Sequence, residues 1–246
     1  MRDNTFKISY SRINTYLFCP QKYKLVYLDN KYIPLNADIS FGLSIHKILE
    51  HYYQSAVYTY ESMTDCFNLY WESSGYETPQ DVYVYYLRAQ KILKDFWDTY
   101  GKDAPKNILT EKRFEANIGQ YQFIGIIDRI DESEDGTREL VDYKTHKTIW
   151  AQETIDNDLQ LSLYCYACKT ALGFLPEKIA IYFLSHNRKI YTSRDENKIQ
   201  QAVNLSLEVA DKINRSEFEP NTSKCQYCDF KNTCEYSIVK DKEEIK

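Results

Sequence analysis

The sequence predicts an α/β fold, and three observations point to it. Residues 121–130 and 138–145 are rich in alternating β-branched and aromatic side chains, which is typical of strands. The acidic linker between them contains Asp135-Gly136, a turn signal that favours an antiparallel hairpin. Apolar residues at helical spacing precede and follow this hairpin, so the chain combines a central sheet with helices.

The remaining elements follow from helix caps, breakers and periodicity. Pro20 interrupts the first helix, and Gly101 and Gly173 close two later ones. In chain order we predict a helix interrupted at Pro20, helices at 39–60, 63–73 and 81–100, a strand at 108–118, the central hairpin, a helix at 153–172, a hairpin at 178–184 and 188–193, and a helix at 195–214.

Length and composition fit one large domain or two small ones, and we expect residues 1–246 to form a single domain. Hydrophobic residues make up 43% of the chain, enough for a real core. The net charge of -5 argues against a protein that coats nucleic acid nonspecifically, but it allows a local basic groove. No apolar run reaches 18 residues and the start lacks a signal-peptide pattern, so we expect a cytoplasmic protein without a membrane partner.

The central hairpin brings three chemically useful side chains together. If its turn is centred near Asp135, Asp128 and Asp142 face each other across the ladder. Lys144 projects on the same side as Asp142, because strand side chains alternate with period two. An Asp-x-Lys strand is commonly just a solvated face, yet here both acids follow apolar runs. Two carboxylates suit Mg²⁺, and a neighbouring lysine can orient a water or offset developing charge.

These residues carry a resemblance to a known family. Gly125-Ile-Ile-Asp128-Arg-Ile and Val141-Asp-Tyr-Lys144-Thr resemble the PD-(D/E)XK nuclease superfamily, within it the RecB-like exonucleases, including CRISPR-associated RecB-like nucleases and the AddB nuclease domain. Gly42-x-x-x-His46 and Gln160-x-x-x-Tyr164 agree with the pattern, which spans residues 8–236. The resemblance implies a restriction-endonuclease-like αβββαβ core with a mixed central sheet, a helical insertion at 38–105, a catalytic sheet and helix at 108–193, and a C-terminal cysteine region.

The resemblance also implies an activity and its residues. The chain is expected to be a Mg²⁺- or Mn²⁺-dependent DNA exonuclease that hydrolyses phosphodiester bonds at DNA ends. Glu111 and Glu115 lie on the preceding strand, and neither is assigned to the acidic cluster. The implied catalytic residues are Asp128, Asp142 and Lys144; the implied metal ligands are Asp128, Asp142, Tyr143 and His46; the implied DNA contacts are Gln160, Tyr164 and Arg129.

The expected partners are DNA, single-stranded or with a free end, and a helicase or CRISPR integrase. The corresponding processes are DNA repair, recombination or CRISPR adaptation. One alternative is a module that binds DNA or a protein without turnover. Another is a zinc-ribbon regulator, which explains the cysteines but not the hairpin.

Four of the seven cysteines form a metal-binding pattern. Cys225, Cys228 and Cys234 form a C-x₂-C-x₅-C cluster that needs a fourth ligand, and Cys19 resembles the amino-terminal cysteine of iron-sulfur RecB-like nucleases. Four thiolates satisfy a 4Fe-4S cluster or a zinc ion equally by ligand count, and the resemblance favours iron. The remaining cysteines are assigned to packing: Cys66, Cys165 and Cys168.

Overall fold

The computed structural model describes residues 6–55, 57–102 and 107–239. Their helices and strands alternate along the chain as an α/β protein requires. The α-helices are α1 (Tyr10–Phe18), α2 (Pro20–Tyr27), α3 (Ala37–Gln54), α4 (Tyr60–Tyr70), α5 (Pro79–Phe96), α6 (Gln152–Asp156), α7 (Leu159–Ala167) and α8 (Glu196–Asn214). The strands are β1 (Lys7–Ile8), β2 (Asn107–Ile118), β3 (Tyr121–Glu132), β4 (Arg138–Lys144), β5 (Lys178–Phe183) and β6 (Arg188–Thr192).

The described chain divides into two compact units. The larger unit comprises Pro34–Phe114 and Ile126–Ile199, and the smaller one comprises the described residues within Met1–Ile33, Glu115–Gly125 and Gln200–Lys246. None of the described helices combines the length and apolar character that crossing a bilayer requires.

The sheet of the larger unit is mixed, as predicted. Strand β4 lies between β3, which it pairs antiparallel, and β5, which it pairs parallel. β5 and β6 form an antiparallel hairpin, with Asn187 in the left-handed region at its turn. α3, the strands that follow and α7 give the αβββαβ order of a restriction-endonuclease-like core.

Helices α3 and α5 pack against the sheet through one apolar core. Ile45, Ile48 and Leu49 of α3 and Leu93 of α5 are buried with Val141 of β4. Burial at this scale stabilises the unit by roughly 1.5–3 kcal/mol per large apolar side chain. Because α3 is held against β4 in this way, its polar face comes to the end of the central hairpin.

Local capping explains where several helices begin. Asn36 caps α3 by accepting a hydrogen bond from the Ile39 amide at 3.0 Å, and Thr59 and Thr78 form capping boxes at α4 and α5. The helix predicted at 153–172 is instead broken, because Asp158 Oδ1 accepts from the Leu161 amide at 2.8 Å and starts α7 anew. A π-helical turn, Cys168–Leu172, extends α7 to the left-handed Gly173.

The smaller unit joins the first helices to the chain after α8. Strand β1 pairs in parallel with the start of β3, through Lys7 with Gln122 and Ile8 with Phe123. Tyr16 donates from its hydroxyl to the Glu217 carbonyl at 2.6 Å. Cys19 separates α1 from α2 and places Pro20 at the first turn of α2, where its missing N–H costs nothing.

Candidate active site

The two aspartates of the central hairpin lie just beyond the end of its ladder. Arg129 pairs with Val141 in the last antiparallel step, and Asp128 and Asp142 are the next residues of the two strands. The Tyr143 amide also donates to Asp128 Oδ2 at 2.7 Å, which fixes the carboxylate at the edge of β4. The turn spans Ser133 to Thr137 with Gly136 at φ 84°, as the turn signal predicted.

His46 and Glu111 join Asp128 from two other elements. His46 Nδ1 of α3 lies 3.5 Å from Asp128 Oδ1 and 3.9 Å from Glu111 Oε1. One ligand atom from each residue lies within 4.8 Å of the other two. An imidazole and two carboxylates at this spacing form a donor set for a divalent metal ion.

Glu111 reaches the cluster through an unusual backbone conformation. Its φ of 46° lies in the left-handed region, although it belongs to β2 and carries a side chain. Plain alternation would place Glu111 in phase with Arg113 and Glu115, both exposed. The local reversal re-aims the side chain, as bulges beside functional sites do. Period-two reasoning therefore could not identify Glu111 as a member of the cluster.

Burial dominates the pKa values of the carboxylates in this cluster. Burial, aided by the charge of Asp128, raises the pKa of Glu111 to about 7. Burial also raises the pKa of Asp142 to about 6, against the attraction of Lys144. Burial disfavours ionised Asp128 as well, but the facing His46 outweighs it and holds that pKa below its usual range. A cation would relieve the repulsion among these carboxylates.

Lys144 links the carboxylates to α7. Its ammonium lies 2.6 Å from Asp142 Oδ2 and donates to Gln160 Oε1 at 3.0 Å. The Gln160 amide in turn donates to the Tyr164 hydroxyl at 2.9 Å. Asp142 and its charge partners keep the pKa of Lys144 above its usual value despite burial, so the ammonium stays charged. The Gln160 and Tyr164 side chains therefore meet the catalytic face, but Tyr164 is itself buried.

Asp142 provides a direct test of whether a metal fits. Its side chain is 2% exposed, and its Oδ1 has no hydrogen-bond donor within the described ranges. A buried carboxylate oxygen without a partner is costly, and a cation would satisfy it. Together with the His46, Glu111 and Asp128 donors, this oxygen makes the chemistry of the site fit a hard divalent ion.

Two expected site residues point away from the carboxylates. Arg129 is 3% exposed, and its guanidinium binds both oxygens of Asp131. It also donates to the Tyr53 and Tyr143 hydroxyls, at 2.5 Å and 3.2 Å. The structure therefore does not support the expected contact between Arg129 and DNA, because the donors of Arg129 are engaged inside the protein. Since the Tyr143 ring faces Arg129, only the backbone of Tyr143 can serve a metal.

The four patterned cysteines line one cavity of the smaller unit. Cys19, Cys225, Cys228 and Cys234 all contribute to its wall. The Asn221 amide donates to Cys19 Sγ at 3.3 Å. By ligand count, four thiolates around one cavity fit either a zinc ion or a 4Fe-4S cluster.

The other cysteines sit in packing environments. Cys165 and Cys168 are buried in the larger unit, and burial raises the pKa of each thiol to about 12. Cys66 packs, partly buried, against the core of α3 and α5. Thiols held protonated in this way are poor metal ligands.

Comparisons with known proteins agree with this geometry. A model of the PD-(D/E)XK nuclease superfamily matches residues 7–235. A Eubacterium rectale protein provisionally named an exonuclease has a similar solved structure, with 13% identity, a TM-score of 0.55, and coverage of 91% of this chain and 86% of that one. The structure of SSO0001 is 15% identical and covers 93% and 96%, with a TM-score of 0.39. No curated protein matches the chain.

The family match covers residues 7–235, nearly all of the chain. This chain belongs to the PD-(D/E)XK nuclease superfamily, a family of metal-dependent nucleases.

Proposed function

We propose that this protein is a Mg²⁺- or Mn²⁺-dependent DNA exonuclease of the RecB-like type. The observation that carries the proposal is the convergence of Asp128, Asp142 and Lys144 on one edge of the central hairpin, with His46 and Glu111 beside them. A binding module without turnover would have no chemical use for a buried, unpartnered Asp142 oxygen beside a charged lysine.

The carboxylates and the histidine are assigned to metal binding. Asp128, Asp142, His46 and Glu111 supply side-chain donors, and the backbone of Tyr143 lies between Asp142 and Lys144 on the same strand. A bound divalent ion would supply Lewis acidity and lower the pKa of a water molecule. The Tyr143 amide holds Asp128 in position through the bond to Oδ2. The chain thus orients its ligands before any ion arrives.

Lys144 is assigned to the reacting phosphate. Its ammonium remains charged beside Asp142, and Gln160 directs it through a 3.0 Å hydrogen bond. A fixed positive charge at this point stabilises negative charge that develops on the phosphoryl oxygens. We assign Gln160 to substrate contact and orientation of Lys144, and Tyr164 to holding the Gln160 amide.

Attack at DNA ends is proposed from the RecB-like motifs. The similar protein from Eubacterium rectale carries an exonuclease name, which favours the same assignment here. The proposed substrate is DNA that is single-stranded or has a free end. We place the activity in repair, recombination or CRISPR adaptation, with a helicase or an integrase as partner.

The cysteine cavity is proposed to hold a 4Fe-4S cluster. Four cysteines line it, the number of thiolates that such a cluster takes. Zinc would accept the same number, and the resemblance to iron-sulfur RecB-like nucleases favours iron. Because Cys19 precedes α2 and the other three follow α8, the cluster would staple the two ends of the smaller unit together.

A comparison of linear and circular DNA tests the proposed activity. End-labelled single-stranded and duplex DNA and a covalently closed single-stranded circle are incubated with protein while Mg²⁺ or Mn²⁺ is titrated. We expect metal-dependent release of nucleotides from linear DNA and intact circles. Circles cleaved as fast as linear strands would refute the dependence on ends. Binding of DNA without cleavage at any metal concentration would favour the binding module.

A further inference from the structure

Arg88 of α5 lies next to the catalytic strand. Its Nη2 donates to the Thr145 carbonyl and to Ser185 Oγ, both at 2.8 Å. Thr145 directly follows Lys144, so the guanidinium sits one residue beyond the end of β4. The residue is partly buried, and its plane packs over Phe41, with Cζ 4.5 Å from the ring centroid. This packing fixes the orientation of the guanidinium.

The charge of Arg88 is not compensated by a carboxylate. Within the described parts of the chain, no acidic side chain forms an ion pair with Arg88, whereas the buried Arg129 has Asp131. Nε and Nη1 of Arg88 also make no hydrogen bond to a described residue. Burial therefore lowers the pKa of Arg88 from its usual value, although Tyr85 and Asp38 partly oppose it. A half-buried guanidinium with two donor groups that no described residue engages is suited to bind an anion.

A second cation lies at the same place. Lys147 is exposed, and its ammonium lies 5.8 Å from the centroid of the Tyr85 ring. The guanidinium of Arg88 lies 5.7 Å from the same centroid. Asp38 Oδ1 accepts the Tyr85 hydroxyl at 2.8 Å, and Asp81 also acts electrostatically on this tyrosine. Two cations thus share one aromatic ring, and neither forms an ion pair with an acid among the described residues.

We propose that Arg88 and Lys147 form a subsite for a backbone phosphate of the DNA strand, adjacent to the phosphate that is cleaved. The inference rests on the proposed function and deepens it. Nη2 of Arg88 is engaged with Thr145 and Ser185, whereas the N–H groups of Nε and Nη1 can each donate to a phosphate oxygen. The flexible ammonium of Lys147 adds charge without directional demands. The hydrogen bond to Thr145 couples this subsite to the strand that bears Asp142 and Lys144. Arg88 then takes the role of DNA contact that Arg129 cannot perform.

A substrate with neutral linkages tests the subsite. Single-turnover cleavage by the full chain with Mn²⁺ is measured on a set of oligonucleotides, each carrying one methylphosphonate in place of a phosphate near the cleaved bond. At one position of the methylphosphonate, the cleavage rate at subsaturating DNA should fall by about 10- to 100-fold, the loss expected for a charge-assisted contact. Arg88→Met should lose a similar factor on normal DNA and become insensitive to that linkage. Arg88→Lys should restore part of the sensitivity.

Two further variants separate binding from structure. Lys91→Met removes an exposed cation of the same helix and should leave the linkage pattern unchanged. Ser185→Ala removes one hydrogen bond of Arg88 but leaves the guanidinium charge in place. This variant should therefore retain the sensitivity of cleavage to the neutral linkage. If Arg88→Met keeps the sensitivity of the wild type, the subsite is refuted while the nuclease stands. If wild-type protein neither binds nor cleaves DNA, the proposed function and the subsite both fail.

Discussion

The amide of Tyr143 donates to Asp128 Oδ2 at 2.7 Å, so the β4 backbone itself holds the carboxylate of β3. On the other side of the strand, the Tyr143 hydroxyl accepts from Arg129, which is paired with Asp131. One residue thus connects a buried ion pair to the metal-binding face. The chain orders Asp128 with its own groups, which lowers the entropic cost of binding an ion.

Asp128→Asn separates charge from position at this contact. The amide oxygen of asparagine can still accept from the Tyr143 amide, so the fold should be preserved. Loss of the negative charge should weaken metal binding and lower single-turnover cleavage by more than about 10²-fold. The check is Mn²⁺ titration by calorimetry together with cleavage of linear DNA. Wild-type rates in this variant would remove Asp128 from the metal site.

Glu111→Gln tests the residue that its backbone conformation brings into the cluster. We expect Mn²⁺ affinity to fall about 10- to 100-fold, the range for groups that support a metal site. Glu115→Gln is the matched control, because Glu115 lies four residues on in the same strand and binds only Gln122 among the described residues. Equal affinities in the two variants would show that Glu111 contributes nothing to metal binding.

Metal binding should depend on pH through Glu111, Asp142 and His46, because burial, which lowers the pKa of His46, is outweighed by the neighbouring carboxylates, which raise it. Without metal, the pKa of Glu111 is about 7 and that of Asp142 about 6, so both carry protons in mild acid. An ion must displace these protons, and its apparent affinity should rise from pH 5.5 to about 7.5 and then level off. Calorimetry in buffers of different ionisation enthalpy measures the protons released. Release that is larger at pH 8 than at pH 6 would contradict this assignment.

The raised pKa of Glu111 also affects the stability of the metal-free fold. Unfolded Glu111 ionises near its ordinary value of 4.5, whereas the folded residue retains its proton to about 7. The unfolded chain therefore binds fewer protons between these values, and this group destabilises the metal-free fold as pH rises. Added Mn²⁺ should reverse the trend in thermal melts. Glu111→Gln should flatten the pH dependence.

If the four cysteines hold a 4Fe-4S cluster, the purified protein should be coloured. Anaerobically purified chain should carry iron and sulfide and absorb near ~400 nm, as a four-cysteine cluster does. Cys228→Ser should lose iron and lower the melting temperature, because cluster binding and folding are coupled. Cys66→Ser, which changes a packing thiol, should retain the iron. Stoichiometric zinc without iron in the wild type would refute the cluster and leave the nuclease assignment intact.

Sequence reasoning located the hairpin because two signals act together there. Alternation defines the faces of the strands, and Asp135-Gly136 fixes the register that places Asp128 and Asp142 just beyond the last paired step. The predicted α/β class followed from the same pattern together with the flanking helices, whereas the mixed sheet was implied by the family resemblance. Helix ends were less accurate, because caps such as Asp158 depend on single side-chain hydrogen bonds.

Roles that depend on tertiary packing could not be predicted from the sequence. Arg129 alternates with Asp128 and so faces the opposite side of β3, where Asp131 and Tyr53 enclose it. Glu111 requires a local reversal of φ that period-two patterns do not contain. Arg88 reaches Thr145 from a helix more than fifty residues away, a proximity that only the packing of α5 creates.

Single-turnover cleavage by Lys144→Ala at saturating Mn²⁺ tests the central claim most directly. Lys144 is charged and lies 2.6 Å from Asp142, but it is not a metal donor. The variant should therefore bind Mn²⁺ within a few-fold of the wild type and cleave linear DNA about 10²- to 10⁴-fold more slowly. Unchanged cleavage by Lys144→Ala would contradict the active site assigned here.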